Sequence, residues 1–212
     1  MLKSDFFDAD PQAVAQALLG KVLRHYCQGI WLSAQIIETE AYYLSDKASH
    51  ASLGYAEKRK ALFMPAGTIY MYYARGSDSF NISCCGEGNA VLLKSGIPYV
   101  EHKHAERMLN IMRKLNPKKD GTARQIEKLC AGQTLLCKSL GLKVPDWDQK
   151  TFNSKKLRID DVGIRPEKII QTKRLGIPIG RDEHLPYRFV SYDYAIHATK
   201  NPLRKLIIHN EY

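Results

Sequence analysis

The part of the chain that most constrains its fold runs from 22 to 93, where short apolar segments alternate with glycine-containing turns. Segments rich in β-branched and aromatic residues, joined by short polar connections, are typical of consecutive antiparallel strands. Small and charged residues from 43 to 60, and polar residues from 75 to 79, predict loops between them. The predicted strand segments are 22–23, 30–37, 67–73, 80–83 and 90–93. We therefore predict an antiparallel sheet.

Helical patterns flank this strand-rich region. Asp10-Pro11, followed by periodic apolar residues and then a glycine, predicts a short capped helix. Residues 100–115 carry apolar side chains at helical spacing, and further helical signals run from 122 to 140 with an interruption at Gly132. Strands followed by helices indicate an α+β fold. The length of 212 residues, without a long linker, predicts a single domain covering 1–212.

Composition narrows the classes of function. Thirty-two lysines and arginines against 22 acidic residues give a net charge of +10, which favours a polyanionic partner such as nucleic acid. A basic surface that only serves solvation is the alternative. No apolar run approaches the ~20 residues of a membrane span, and the N-terminus lacks a secretory pattern, so we expect a cytoplasmic protein. Five cysteines without a C-x-x-C pair indicate neither a disulfide framework nor a zinc site.

The segment 38–42, Glu-Thr-Glu-Ala-Tyr, concentrates reactive groups after a predicted strand. If it is extended, alternation places Glu38, Glu40 and Tyr42 on one face. Two neighbouring carboxylates beside an aromatic ring suit a general base, because each changes the proton affinity of the other. The alternative is that both acids form salt bridges to a basic element nearby.

Aromatic residues accumulate in the strand segment 67–73. Alternation places Tyr70 and Tyr72 on one face, with Met71 and Tyr73 on the other. One face would offer a flat slot for a nucleobase, since stacking on an aromatic side chain contributes ~1–3 kcal/mol per base. Core packing of these rings is the competing interpretation. His50, in a loop of small residues, is either a site residue or an ordinary surface histidine.

Taken in order and spacing, these segments resemble the alkyladenine (3-methyladenine) DNA glycosylase family. The resemblance is close from 36 to 94 and continues more weakly through 136–142, 148–149 and 174–177. It implies a single compact domain built around a curved antiparallel sheet with helices outside it. The matching elements are Glu38-Thr39-Glu40-Ala41-Tyr42, Asp46, His50, Phe63-Met64, Gly67 to Tyr72, Asn81-Ile82-Ser83 and Gly86 to Leu93.

The resemblance also implies roles for the residues around an extruded base. Glu40 matches the general base that activates water for attack on the anomeric carbon of deoxyribose. Tyr42 and Tyr72 match positions that stack on the base, and His50 matches one that forms a hydrogen bond with it. Asn81 matches the residue that lies against the base edge and disfavours the exocyclic amino group of guanine.

Three further positions follow from the resemblance. The Leu175 backbone matches a main-chain contact near the catalytic water. Arg75 stands where the family has an aromatic wedge, so either Arg75 itself or one of Tyr73 and Phe80 would fill the gap left by the flipped nucleotide. Lys94 stands where the family often has arginine. We expect Arg75, Lys94 and the helix 103–114 to contact phosphates.

The implied activity is that of a base-excision-repair DNA glycosylase. It would flip an alkylated purine of the 3-methyladenine type, with deaminated purines as a further option, and hydrolyse its N-glycosidic bond. Because the motif supplies no amine beside Glu40, the strand is predicted to stay uncut, leaving an abasic site. The scheme needs no metal or cofactor. We expect a monomer whose partner is duplex DNA containing damaged purines. In a bacterium it would act at the nucleoid in the cytoplasm, and in a eukaryote in the nucleus. Alternatives are a non-catalytic nucleic-acid-binding protein of the same fold and an enzyme using Glu38 and Glu40 as metal ligands.

Overall fold

A curled antiparallel sheet of eight strands organises the molecule in the computed structural model, which describes residues 1–101 and 104–203. Helices pack on the outside of the sheet, so the predicted α+β fold with a curved antiparallel sheet is confirmed. The strands are β1 Val22–Cys27, β2 Ile30–Tyr42, β3 Ile69–Ala74, β4 Ser77–Ser83, β5 Ala90–Pro98, β6 Leu157–Asp160, β7 Ile169–Thr172 and β8 Arg188–Ser191. The α-helices are α1 Pro11–Ala17, α2 Ala105–Leu115, α3 Gln133–Leu140 and α4 Val144–Trp147, and 3₁₀ helices span Ser4–Phe7, His50–Leu53, Glu57–Phe63, Ile126–Lys128 and Tyr192–His197.

Strand β2 is a central strand of the sheet, whose order is β3-β4-β5-β2-β1-β6, and it also pairs with β8. It extends five residues beyond the predicted end at 37, to Tyr42. Along one edge of β2, β1 pairs with it as far as Gln35. Beyond that point β8 pairs with the same edge, at Glu38, Thr39 and Glu40. The register with β5 shifts around Glu38, which marks a local bulge. The acidic segment is therefore held between two strands instead of projecting into a loop.

The N-terminal helix forms as its sequence predicts. The Asp10 side chain accepts hydrogen bonds from the backbone amides of Gln12 and Ala13, and Pro11 occupies the first turn, where its missing N–H has no cost. The hydroxyl of Thr39 donates to the carbonyl of Ala15 over 2.8 Å. This contact fixes α1 against the acidic segment of β2.

Several predicted boundaries are wrong. The loop 43–60 contains two 3₁₀ helices, and the helix expected from 100 begins at Ala105. Most of 75–79 belongs to β4, since Asp78 finds tertiary partners in Lys143 and in the amide of Val144. The region before the break at Gly132 forms only a 3₁₀ turn.

The main hydrophobic core fills the space between the sheet and α1, α2 and α3. Phe80 is fully buried in it, so the option that Phe80 acts as a wedge is wrong. Arg107 on α2 reaches towards the carbonyl of Gln28, at the opposite end of β2 from Glu40. Because α2 packs at the far end of β2, its position argues against α2 as the phosphate contact near Glu40. Lys103 lies outside the described residues. Within residues 1–101 and 104–203, no helix has the length and apolarity to cross a membrane.

Candidate active site

A cavity of about 810 Å³ opens beside the acidic end of β2, within the size range of small-ligand sites. Strands β2, β3, β4 and β5 form its floor and inner wall. The 3₁₀ helix His50–Leu53 and the segment 175–178 close two of its sides. The sequence-predicted residues that line it are Tyr42, His50, Tyr72, Arg75, Asn81, Lys94 and Leu175.

Glu40 is fully buried directly behind the cavity lining, where it contacts the lining residues Tyr42, Lys94 and Leu175. Its carboxylate accepts hydrogen bonds from the Tyr42 hydroxyl over 2.8 Å and from the Leu175 backbone amide over 3.1 Å. Burial and the nearby Glu40 carboxylate raise the pKa of Tyr42 well above its usual value, so this phenol stays protonated and donates. Donors from two distant segments thus hold one carboxylate in a fixed orientation.

Lys94 is the third partner of this carboxylate. Its ammonium nitrogen lies 3.3 Å from both Glu40 oxygens, and only 9% of its side chain is exposed. The premise that no amine stands beside Glu40 is therefore wrong. A phosphate contact through Lys94 stays a prediction, and the partner found in the structure is Glu40.

The first acid of the motif has different surroundings. Glu38 accepts from Arg188 Nε and Ser95 Oγ, both over 2.6 Å, and from the backbone amide of Thr199 over 2.8 Å. Both side chains of the Glu38–Arg188 pair are buried. The salt-bridge interpretation thus holds for both acids, because Glu38 pairs with Arg188 and Glu40 pairs with Lys94.

Aromatic rings build part of the cavity wall. Tyr70 and Tyr72 stack with ring centroids 5.6 Å apart, and His50 packs edge-on against Tyr72 with centroids 4.4 Å apart. The Tyr70 hydroxyl lies 2.8 Å from His50 Nδ1, which orients the imidazole. Tyr70 was not assigned to the site by the sequence, although its alternation with Tyr72 places it on the same face.

Asn81 reaches the cavity from the neighbouring strand β4, directly opposite Tyr70 in the β3–β4 register. Its side-chain amide nitrogen donates to the Tyr70 carbonyl over 3.2 Å, and the residue is 6% exposed. This bond fixes which edge of the amide faces the cavity. A stack of rings and an oriented amide therefore line one cavity, and the buried Glu40 carboxylate contacts residues of the same lining.

Comparison with known proteins gives the family. The family model described as methylpurine-DNA glycosylase (MPG) matches residues 5–195. The chain belongs to the methylpurine-DNA glycosylase family. The resemblance drawn from the motifs is confirmed, and the protein is in coarse terms a DNA glycosylase.

Named relatives agree with this family. A Pseudomonas aeruginosa (strain LESB58) protein called "Putative 3-methyladenine DNA glycosylase" is 59% identical over 204 residues, which is 96% of this chain and 85% of that protein. A protein of the same name from Pseudomonas syringae pv. tomato is also 59% identical, covering 96% of this chain and 92% of its own length. One from Anaeromyxobacter sp. (strain Fw109-5) is 30% identical, covering 89% and 87%.

Arg174, to which sequence reasoning gave no role, contacts Tyr42 and precedes Leu175, two residues of the cavity lining. Its guanidinium pairs with Asp46, donates to the Ala41 carbonyl over 3.2 Å and lies 4.6 Å from the centre of the Tyr42 ring. The side chain is fully buried. Arg174 thus anchors the segment that carries the Leu175 amide and packs against Tyr42 at the same time. The Arg-Leu-Gly-Ile motif and Asp46 were visible in the sequence, but not their pairing.

We expect Arg174→Lys to lower the rate of base release by about 10- to 100-fold, because small displacements of groups around a reacting centre have effects of this order. Lysine keeps the charge but lacks a planar guanidinium, so it cannot both form a bidentate pair with Asp46 and stack on the Tyr42 ring. Single-turnover rates on methylated duplex DNA measure this. Arg165→Lys, at an exposed pair with Asp161, is the matched control and should leave the rate unchanged. Equal rates in both variants would contradict the anchoring role.

Arg75 and Gly76 form the two-residue turn between β3 and β4, with Ala74 and Ser77 paired on either side. Their φ angles of +51° and +76° suit the tight turns that close such hairpins. Arg75 is exposed at this tip and also lines the cavity. Tyr73 is 59% exposed and does not line the cavity, so Arg75 is the better placed of the two remaining wedge candidates.

The lowered pKa of His50 predicts that the free energy of unfolding depends on pH. Loss of hydration and the nearby cations Arg59, Arg181 and Lys58 lower the pKa of His50 below its usual 6.5. Below pH 6.5 the unfolded chain then binds a proton that the folded state takes up less readily. The free energy of unfolding should therefore fall in acid more steeply for the wild type than for His50→Gln. Urea unfolding at pH 7.5 and pH 5 measures this; His25 is present in both proteins, so their difference isolates His50. Identical acid dependence would contradict the assignment.

The described residues contain no group of three or more histidine, cysteine, aspartate or glutamate side chains arranged to hold a metal ion. Glu38 and Glu40 instead have basic partners, Arg188 and Lys94. The geometry therefore favours an acid–base role for Glu40 over the metal-site alternative.

Proposed function

We propose that this methylpurine-DNA glycosylase hydrolyses the N-glycosidic bond of alkylated purines of the 3-methyladenine type, after the damaged nucleotide has flipped out of the duplex. The observation that carries this proposal is the buried Glu40 carboxylate, held by Tyr42, Lys94 and the Leu175 amide, three residues that line an aromatic-walled cavity. The product is an abasic site. The protein would act as a monomer on double-stranded DNA.

The cavity suits a flipped purine. Turning a base out of the stack costs a few kcal/mol, least for damaged or mismatched pairs. Stacking on Tyr42 or Tyr72 would offset this cost, while His50 and Asn81 provide hydrogen-bonding groups at the base edge. The site thus favours bases whose pairing is already weakened.

The chemistry follows from the charge that develops on the sugar. As the glycosidic bond breaks, the deoxyribose gains oxocarbenium character, which a nearby carboxylate stabilises. Glu40 would also accept a proton from the attacking water, while the Tyr42 hydroxyl and the Leu175 amide hold its orientation. One carboxylate would serve both purposes.

The preference for alkylated purines has a physical reason. A 3-methylated adenine is cationic and leaves without further protonation, whereas a neutral deaminated purine needs a proton. His50 is a poor proton donor at neutral pH, because its pKa is lowered. We therefore propose alkylated purines as the main substrates and deaminated purines as weaker ones.

Cations around the mouth of the cavity would hold the DNA backbone. Lys58, Arg59 and Arg181 lie close enough to His50 to lower its pKa, and Arg75 projects from the β3–β4 turn. Contacts of this kind are independent of sequence and weaken steeply with salt. They replace α2 as the proposed phosphate contact.

Methylated and untreated duplex DNA test the proposal directly. The wild-type protein should produce alkali-labile sites, which become strand breaks on heating in base, in methylated DNA only. Binding to DNA without any base release would instead support a non-catalytic nucleic-acid-binding protein of the same fold. Chromatography of the released bases identifies the alkylated purines.

Asn81→Ala is expected to widen the substrate range several-fold towards purines with an exocyclic amino group. The resemblance assigns Asn81 to the exclusion of that group, and the Asn81 side chain is fixed in place by the Tyr70 carbonyl. Methylated DNA contains both 3-methyladenine and 7-methylguanine, so the ratio of the two released bases is the measurement. Asn110→Ala, on the exposed face of α2, is the control. An unchanged ratio would remove Asn81 from this role.

A further inference from the structure

The position of Lys94 has a consequence beyond base hydrolysis. Its amine lines the cavity, is nearly buried, and lies 3.3 Å from both oxygens of Glu40. In the proposed function, the anomeric carbon C1′ must come within reach of a water beside that same carboxylate. A primary amine therefore stands next to the place where the abasic sugar is formed.

We propose that Lys94 captures the abasic product as a covalent imine. This inference rests on the proposed function, because the captured sugar is the product of that reaction. The abasic deoxyribose exists partly as an open-chain aldehyde, and lysine amines form Schiff bases with such carbonyls. The glycosylase would thus hold its product through a reversible bond as well as through backbone contacts.

The proton balance uses the Glu40–Lys94 pair alone. Glu40 accepts a proton from the Lys94 ammonium, and the amine lone pair forms a bond to C1′ while the carbonyl π electrons move to oxygen. After a proton shift from nitrogen to that oxygen, protonation by Glu40 lets the hydroxyl leave as water, and the nitrogen lone pair completes the C=N bond. One water is released, nothing is oxidised or reduced, and hydrolysis by the reverse steps restores the free enzyme.

Capture depends on a lysine at this position. An arginine would keep the ion pair with Glu40, but its guanidinium stays protonated and does not act as an amine nucleophile. Among the described residues that line the cavity, Lys94 is the one lysine, and the other basic side chains are His50, Arg75 and Arg181, none of which carries a primary amine. The N-terminal amine pairs with Asp160 on β6, the edge strand beyond β1. These placements single out Lys94 as the capturing group.

Borohydride trapping on a preformed abasic site tests the inference. A duplex in which uracil has been removed supplies the aldehyde without any need for base release by this protein. Borohydride reduces an imine to a stable amine, so wild-type protein should yield a covalent adduct on a denaturing gel. Lys94→Arg should lower the yield at least 10-fold, and Lys119→Arg, at an exposed lysine without a proposed DNA contact, should leave it unchanged. Mass spectrometry of the wild-type adduct should locate the sugar remnant on Lys94.

Three results would overturn the inference: no wild-type adduct, an equal yield from a folded Lys94→Arg, or a remnant on another residue. Mapping in the wild type keeps the test decisive even if the variant does not fold, as checked by thermal melting. Base release from methylated DNA is measured separately. Release without trapping would contradict the imine alone, whereas trapping without release would contradict the proposed function.

Discussion

Replacing Glu40 with glutamine is expected to lower base release from methylated duplex DNA by about 10²–10⁴-fold, the range attributed to a positioned general base. Glutamine keeps the shape of the side chain and can still accept from the Leu175 amide, but it cannot take a proton from water. Single-turnover kinetics with excess enzyme measure the chemical step directly. A near-normal rate would remove Glu40 from the mechanism.

This variant needs a control for stability, because it leaves the Lys94 ammonium nearly buried without its partner. Breaking a buried pair costs about 3–5 kcal/mol, whereas replacing both members is much less destabilising. Glu40→Gln combined with Lys94→Gln should therefore recover most of the free energy of unfolding in urea and stay inactive. Recovery of activity in the double variant would show that the single variant was merely unfolded.

Replacing Glu38 with glutamine should lower stability and leave the activity of the folded protein nearly unchanged. We expect the free energy of unfolding to fall by about 3–5 kcal/mol, since the Arg188 guanidinium would be left buried and unpaired. The bonds of Glu38 to Ser95 and to the Thr199 amide would be weakened as well. The rate of base release per folded molecule should stay close to that of the wild type.

Urea unfolding followed by circular dichroism, together with active-site titration of the folded fraction, separates these two quantities. Glu38→Gln with Arg188→Met is the matched double variant and should be more stable than Glu38→Gln alone. A stable but inactive Glu38→Gln would contradict a purely structural role for Glu38, because it would give the first acid of the motif a chemical role. The two acids of one pentapeptide would then both belong to the reaction.

Much of the sheet was predictable, because its signals are local. Strand propensity and turn residues locate the strand segments between 22 and 93, and Asp10-Pro11 marks the start of α1. Helix ends and breaks were less predictable. Residues 122–131 carry helical signals, yet this part of the chain forms only a 3₁₀ turn at Ile126–Lys128 before α3 begins after Gly132. Packing against the sheet overrides weak helix propensity over such short segments.

The amino-acid sequence by itself identified the family through the order and spacing of its motifs, and that resemblance implied the curved antiparallel sheet and most of the residues that line the cavity. Tertiary structure alone decided which partners hold each buried acid. Glu38 meets Arg188 across 150 positions of chain, and Glu40 meets Lys94 across 54. Alternation places both acids on one face, but their partners come from β5 and β8. Long-range strand pairing, which neighbouring residues do not encode, therefore assigns each charge its partner.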